Sequence, residues 1–348
     1  MPGKPLDKGQ VRIGVIHVSN PNQETSGYAY AHQQGIRRMQ RELGLRDDQI
    51  ILKINISDTN QAETELAIRE CIADGANVII ATSWWHMDVC EKLAPEYPGV
   101  IFANATGTKH NDTNFTNYFG RMYQARYLSG IVAGLRTRAR KIGYVAAMGK
   151  ENSEVSGGLN AFALGVESVN PKARIYVRVL HRWLDPTGES QAARLLIEEG
   201  CDVIAQHCNT PNPQIEAQKA GVWGIGFNSD MEADAPEAVI VSAVWNWGVY
   251  YTHLVRSVMD GSFTTTPYEG SIDDGMVELT PFNEALLPAG AAEAVASARI
   301  RITSGNFGVF DGEMRTNDGK IVGKPGTTLP DSEIIGDMNW YYHNIIEP

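Results

Sequence analysis

The chain has 348 residues, 43% of them hydrophobic and 20% charged, with a formal net charge of −11. That length suits two α/β domains better than one core, and no apolar run approaches the roughly 18 residues of a membrane helix. So acidic a chain lacks the basic stripe that nucleic acid or an anionic membrane surface requires; its one dense basic run, Arg136 to Lys141, reads as a helix end, where cations suit the dipole.

Val11 to Val18 is a first strand. A loop rich in Asn, Pro and Ser follows, and Gly27 opens a helix whose Ile36, Met39 and Leu43 share one face. Ile50 to Ile54 reads as a second strand. The helix Gln61 to Ala73 buries Ile68, Cys71 and Ile72, closes at Gly75, and feeds the strand Val78 to Ala81. Val100 to Ala103 is a further short strand before Asn104-Ala105-Thr106-Gly107, and Tyr118-Phe119-Gly120 leads into the helix Met122 to Leu135.

The pattern then restarts. Lys141-Ile142-Gly143-Tyr144-Val145-Ala146 answers Arg12-Ile13-Gly14-Val15, and Ile197 to Ile204 answers Ile72 to Ile79. Gly35 and Gly165 hold matching places on the first helix of each half, so the economical reading is two similar doubly wound lobes. Two buried parallel strands end abruptly in polar and aromatic residues: Gly224-Ile225-Gly226-Phe227-Asn228-Ser229-Asp230, and Val239 to Val244 before Trp245-Asn246-Trp247. A helix from Trp247 to Met259, a strand from Met276 to Leu279, a last helix near Ala291 to Ala298 and a hairpin turning at Asn317-Asp318-Gly319 complete the chain. Chain left over after two sheets implies that the connections cross between lobes more than once, which makes a hinge.

The chemistry motifs are missing. The histidines show no HExxH or i, i+4 pair, the cysteines (Cys71, Cys90, Cys201, Cys208) no CxxC, and there is no nucleophile elbow, P-loop or dinucleotide fingerprint. No metal or cofactor is expected, and a Cys201 to Cys208 bridge is left open. The opening Met1-Pro2-Gly3-Lys4-Pro5 has no signal-peptide pattern.

Strand ends at the crest of an open α/β sheet are where ligands bind. Trp84, Trp85, Trp183, Trp245 and Trp247 fall there, with Tyr28 on the first helix. Interleaved are neutral polar groups, Asn104, Thr106, Gln206, His207, Asn209, Asn228 and Asn246, with the single carboxylate Asp230. Rings and amides of this kind suit a flat, uncharged heteroaromatic solute. A phosphorylated one would call for Arg or Lys, and this lining has neither.

Gly27-Tyr28-Ala29-Tyr30-Ala31-His32-Gln33-Gln34-Gly35, Ala105-Thr106-Gly107 with Tyr118-Phe119-Gly120-Arg121, Lys141 to Ala147, Gly226 to Met231 and Trp245-Asn246-Trp247-Gly248 occur in one order over nearly the whole chain. In these motifs the sequence resembles the basic membrane protein family, the substrate-binding proteins of ABC importers similar to purine nucleoside receptor A lipoproteins. The resemblance implies a type I periplasmic-binding fold of two lobes, a hinge and an interlobe cleft. Residues 1–138 with about 247–272 would form one lobe, and 139–246 with about 273–348 the other. It further implies no catalysis, partnership with ABC permease subunits, a monomer, and a periplasmic or cell-surface location reached through a signal or lipid anchor absent from this chain.

By position, the family's purine sandwich falls on Tyr28 or a neighbour and Trp183. Its strand-end aspartate falls at Asn228 and its ribose-binding lysine near Trp245. An Asp/Lys pair suits ribose hydroxyls; Asn and Trp do not. The expectation is therefore a purine nucleobase, favoured over a nucleoside, between Tyr28 or Trp84 and Trp183, with Thr106, Gln206, His207, Asn228, Asp230 and Trp245 around it. The missing leader motivates a cytosolic ligand sensor as an alternative, and Asp230 with His207 a nucleoside-processing enzyme as a weaker one.

Overall fold

The computed structural model describes residues 3–57 and 59–347; Met1, Pro2, Asp58 and Pro348 lie outside them, so the first two residues of the opening segment carry no structural account. Two parallel sheets with one strand order dominate the fold. The first is built from β1 (Ile13–Ile16), β2 (Ile50–Lys53), β3 (Val78–Ala81), β4 (Ile101–Ala105) and β5 (Phe115–Gly120), arranged β5-β4-β3-β1-β2. The second repeats that order with β6 (Lys141–Ala146), β7 (Arg174–Val179), β8 (Val203–His207), β9 (Trp223–Asn228) and β10 (Val239–Trp245), arranged β10-β9-β8-β6-β7. β1 and β3 are buried at every position, as strands covered by helices on both faces must be, and so their residues read as unbroken apolar runs.

The helices before the first crossing are α1 (Tyr28–Leu43), α2 (Gln61–Ala73), α3 (Met87–Leu93) and, just past β5, α4 (Met122–Arg136). The second half contributes α5 (Ser153–Val169), α6 (Pro186–Glu198), α7 (Asn212–Lys219) and α8 (Trp247–Asp260). α4 follows the first sheet but packs on α5, β9 and β10 of the second, while α8 follows the second sheet and packs on α1 of the first. A helical pattern reveals an apolar face without revealing what covers it, so these two packings are set by contacts distant in sequence. The chain returns once more through β11 (Tyr268–Gly270), parallel to β5, and β12 (Val277–Leu279), antiparallel to β10. Three connections therefore join the two sheets, at residues 120–122, 245–247 and 270–277.

The glycines matched on sequence mark the two exchanged helix contacts. A Cβ on Gly35 would sit 2.8 Å from the backbone nitrogen of Gly248 in α8, and one on Gly165 would sit 2.0 Å from the carbonyl oxygen of Tyr127 in α4. Only a residue without a side chain lets these backbones approach so closely.

After α9 (Ala291–Thr303) and a hairpin of β13 (Met314–Arg315) and β14 (Ile321–Val322), the C-terminal segment runs along α5. Ser156 Oγ donates to the Met338 carbonyl at 2.6 Å, and Asn160 both donates to the Trp340 carbonyl and accepts from the Tyr342 amide, each at 2.8 Å. β15 (Ile345–Ile346) then pairs with β7 as the outer strand of the second sheet. All four cysteines are buried and free, so Cys201 and Cys208 are not bridged. Both sit in the apolar layer under α6 and act there as small hydrophobes. No helix among the described residues is long and apolar enough to cross a membrane.

Candidate functional site

On the first sheet, the strand ends are held by a chain of hydrogen bonds. His17 at the end of β1 is wholly buried, with Nε2 3.0 Å from Gln33 Oε1 of α1. Tyr28 donates its hydroxyl to the Thr82 carbonyl at 2.7 Å and lies edge-on to His32. Asn104 donates to the Ser83 carbonyl at 2.7 Å, which leaves its Oδ1 buried without a partner. Thr106 adopts φ +59° at the end of β4, its hydroxyl turned to the Ala105 carbonyl. Trp84 and Trp85 stand outside this set as an edge-to-face pair, about half exposed.

On the second sheet, His207 is the centre. Its ring meets Trp183 edge-on at 5.9 Å and Phe227 at 4.5 Å. Asn228, in the left-handed region at φ +69°, reaches the Cys208 carbonyl at 3.5 Å and keeps Oδ1 buried and unpaired. Asn tolerates that backbone better than most residues.

Three predicted site residues are engaged elsewhere. Gln206 is spent on the turn after β8: it donates to the Thr210 carbonyl at 2.8 Å and accepts from Gln214 at 3.0 Å. Asp230 is exposed and accepts the Glu232 amide of its own turn. Trp245 is only 4% exposed, stacked on Trp247 at 4.6 Å and on Phe119 at 5.2 Å.

The two halves meet where Tyr28 and Asn228 end their elements. The Gly27 amide donates to Ser229 Oγ at 2.8 Å, and Thr25 Oγ1 donates to Asp234 Oδ1 at 2.5 Å. Trp247 completes the junction from the second crossing, stacked on His32 at 4.3 Å and edge-on to Tyr28 at 6.5 Å, with its Nε1 buried and unpaired. Tyr28 and Asn228 are thus the chain neighbours of the Gly27 to Ser229 hydrogen bond, while Trp183 packs on His207 within the second half and Trp245 on Trp247 at the second crossing.

Sequence reading missed two charged residues here. Arg126, one turn into α4, is wholly buried; Nη1 donates to the Gln206 carbonyl at 2.7 Å, and the guanidinium lies 3.8 Å over the Phe227 ring. The statement that no cation serves this edge is therefore wrong. The cation comes from a helix on the far side of a crossing instead of from a strand end. Its signal was a lone charge inside the apolar face of Met122 to Leu135. Glu154, in the first turn of α5, places Oε1 3.6 Å from His207 Nε2. Burial pushes its carboxyl up to about 7, while the charge of Arg126 pulls the other way. Among the described residues no three His, Cys, Asp or Glu side chains are arranged to hold a metal ion.

Residues 13–291 match the family described as ABC transporter substrate-binding protein PnrA-like. A purine-binding protein of Brucella abortus is 31% identical over 332 residues, covering 95% of this chain and 92% of that one. A protein of Haloferax volcanii with a provisional description as an ABC transporter glucose-binding protein is 33% identical, over 79% of this chain and 68% of its own. In structure, an ABC transporter solute-binding protein from Conexibacter woesei superposes with a TM-score of 0.71 at 20% identity, over 86% of this chain and 98% of that one. The fold is thus the type I periplasmic-binding fold of two α/β lobes. With four-fifths of its length matched, the chain belongs to the PnrA-like family of ABC transporter substrate-binding proteins.

Proposed function

We propose that this receptor takes up a purine, with the free base preferred over the nucleoside, and delivers it to the permease of an importer outside the cytoplasm. The observation that carries the base preference is Trp245. Where a ribose-binding lysine would stand, an indole is stacked between Trp247 and Phe119, and Asn228 replaces the companion carboxylate. A ribose hydroxyl buried beside these groups without a partner costs about 1–3 kcal/mol, or roughly 5- to 150-fold in affinity. The purine reading is supported by the Brucella relative and by the rings of Tyr28, Trp183 and Trp247 around the junction.

Binding is without chemistry in this reading: closure brings contacts from both lobes to the solute, and the closed shape is what the permease receives. Isothermal titration with adenine, hypoxanthine, adenosine, guanosine and glucose tests it. The bases should bind at least about fivefold more tightly than the nucleosides, and nucleoside incubated with the protein should be recovered intact. Tighter nucleoside binding overturns the base preference. Glucose binding in place of purines overturns the purine.

A further inference from the structure

A narrow pocket lies between the first crossing, the first two turns of α5 and the C-terminal segment, walled by Phe119, Tyr123, Glu154, Gly158 and Ile334. Its walls come from three separate segments of the chain. Gly158 is the thin part of the wall: a Cβ there would sit 2.9 Å from His207 Cε1 and 3.6 Å from Arg126 Cγ. The buried charges therefore lie directly behind the pocket.

Those charges are unfinished. Arg126 has no protein partner for Nε or Nη2, and His207 has none for Nε2. Glu154 is 3.6 Å from His207, too long for a hydrogen bond, and its side chain is the one member of the group that keeps some exposure, at 22%. A guanidinium removed from water with a single hydrogen bond is costly unless an acceptor and a counter-charge reach it. Glu154 supplies the charge. The acceptor is missing.

We propose that the Arg126, Glu154 and His207 cluster reads the edge of the solute and selects a 6-oxopurine, such as hypoxanthine or guanine, over a 6-aminopurine. This rests on the purine reading above. A lactam edge sets a carbonyl acceptor beside an N–H donor, which complements an Arg or His N–H beside a carboxylate. The 6-aminopurine edge presents the reverse order, a ring nitrogen acceptor beside an NH2 donor, and leaves one group of each partner facing its like.

The test is titration calorimetry of the full chain with hypoxanthine and adenine, for the wild type and for Glu154→Gln. Wild type should bind hypoxanthine at least tenfold more tightly than adenine. At pH 8, where the Glu154 carboxyl is ionised and accepts only, Glu154→Gln introduces a donor and should weaken hypoxanthine tenfold or more while changing adenine less than threefold. Arg126→Lys, checked for folding by circular dichroism, should likewise lose affinity for hypoxanthine first, since an ammonium keeps the charge but not the fork. Adenine preferred by the wild type, or a ratio unchanged in Glu154→Gln, overturns the inference and leaves the purine reading standing. No binding of either base overturns both.

Discussion

Four histidines, His17, His32, His86 and His207, are wholly buried, and burial is the first cause holding each as the neutral ring. His17 falls to about 4 and His86 to about 3, with His32 and His207 well below the usual imidazole range. As pH falls, the unfolded chain takes up these protons near 6.5 and the folded chain resists, so stability present above 6.5 drains between about 6.5 and 4. Glu154 runs the other way: its folded carboxyl stays protonated up to about 7, so its contribution falls as pH rises from about 4.5 to 7. Burial raises Glu24 and Glu189 in the same direction, so four imidazoles oppose three carboxyls, and the urea midpoint should drop as the solution is acidified from pH 7 to 4.5. His86 isolates the effect because neither ring nitrogen has a partner to lose. His86→Phe should flatten the dependence by up to about 1.4 kcal/mol per pH unit, one proton's worth. An unchanged slope in urea melts at pH 5 and pH 7 would count against buried neutral imidazole as its source.

At the scale of elements, the C-terminal segment is fastened at one point where a crossing can be felt. Arg121, at the first crossing, places Nε 2.7 Å from Asp331 Oδ2, and the Tyr123 hydroxyl donates to Oδ1 at 2.7 Å; Arg121 also donates to the Glu269 carbonyl next to the third crossing. The pair is only about a quarter to a third exposed. Asp331→Ala should cost about 1–3 kcal/mol, since it strips two donors of their acceptor, and should speed proteolysis within residues 331–337. Equal cleavage rates in variant and wild type would show that the segment is held elsewhere. No periodicity announces this strap. β1 and β3 are legible because each is covered on both faces and leaves an unbroken apolar run, whereas β11 and β15 are short outer strands whose pairing depends on distant neighbours. The same distinction governs the candidate site: Trp183, His207 and Asn228 can be read from strand ends, but Arg126 arrives on a helix whose destination is set by packing, and Trp245 is taken up by Trp247 of its own crossing and Phe119 of the first.

For the whole molecule the question is what holds the two lobes together. Gly27 is one close point of contact: at φ +107° its amide donates to Ser229, and a Cβ would lie 2.2 Å from the Asn209 carbonyl oxygen. Gly27→Ala therefore has two separable effects. Backbone strain at the start of α1, of order 1–2 kcal/mol, is paid in every lobe arrangement and lowers the melting temperature by a few degrees. The clash with Asn209 is felt only when the lobes meet, and so falls on the closed form alone. Ser229→Ala removes the hydrogen bond without the strain, and at about 0.5–1.5 kcal/mol should weaken solute binding roughly 2- to 12-fold with the melting temperature of the free protein nearly unchanged. Because a solute that touches both lobes binds through the closed population, Gly27→Ala should weaken binding further than Ser229→Ala and shift small-angle scattering toward a larger radius of gyration. If both variants bind as wild type does and scatter alike, the junction of Gly27 with Asn209 and Ser229 does not govern closure, and the hinge equilibrium must be set at the three crossings instead.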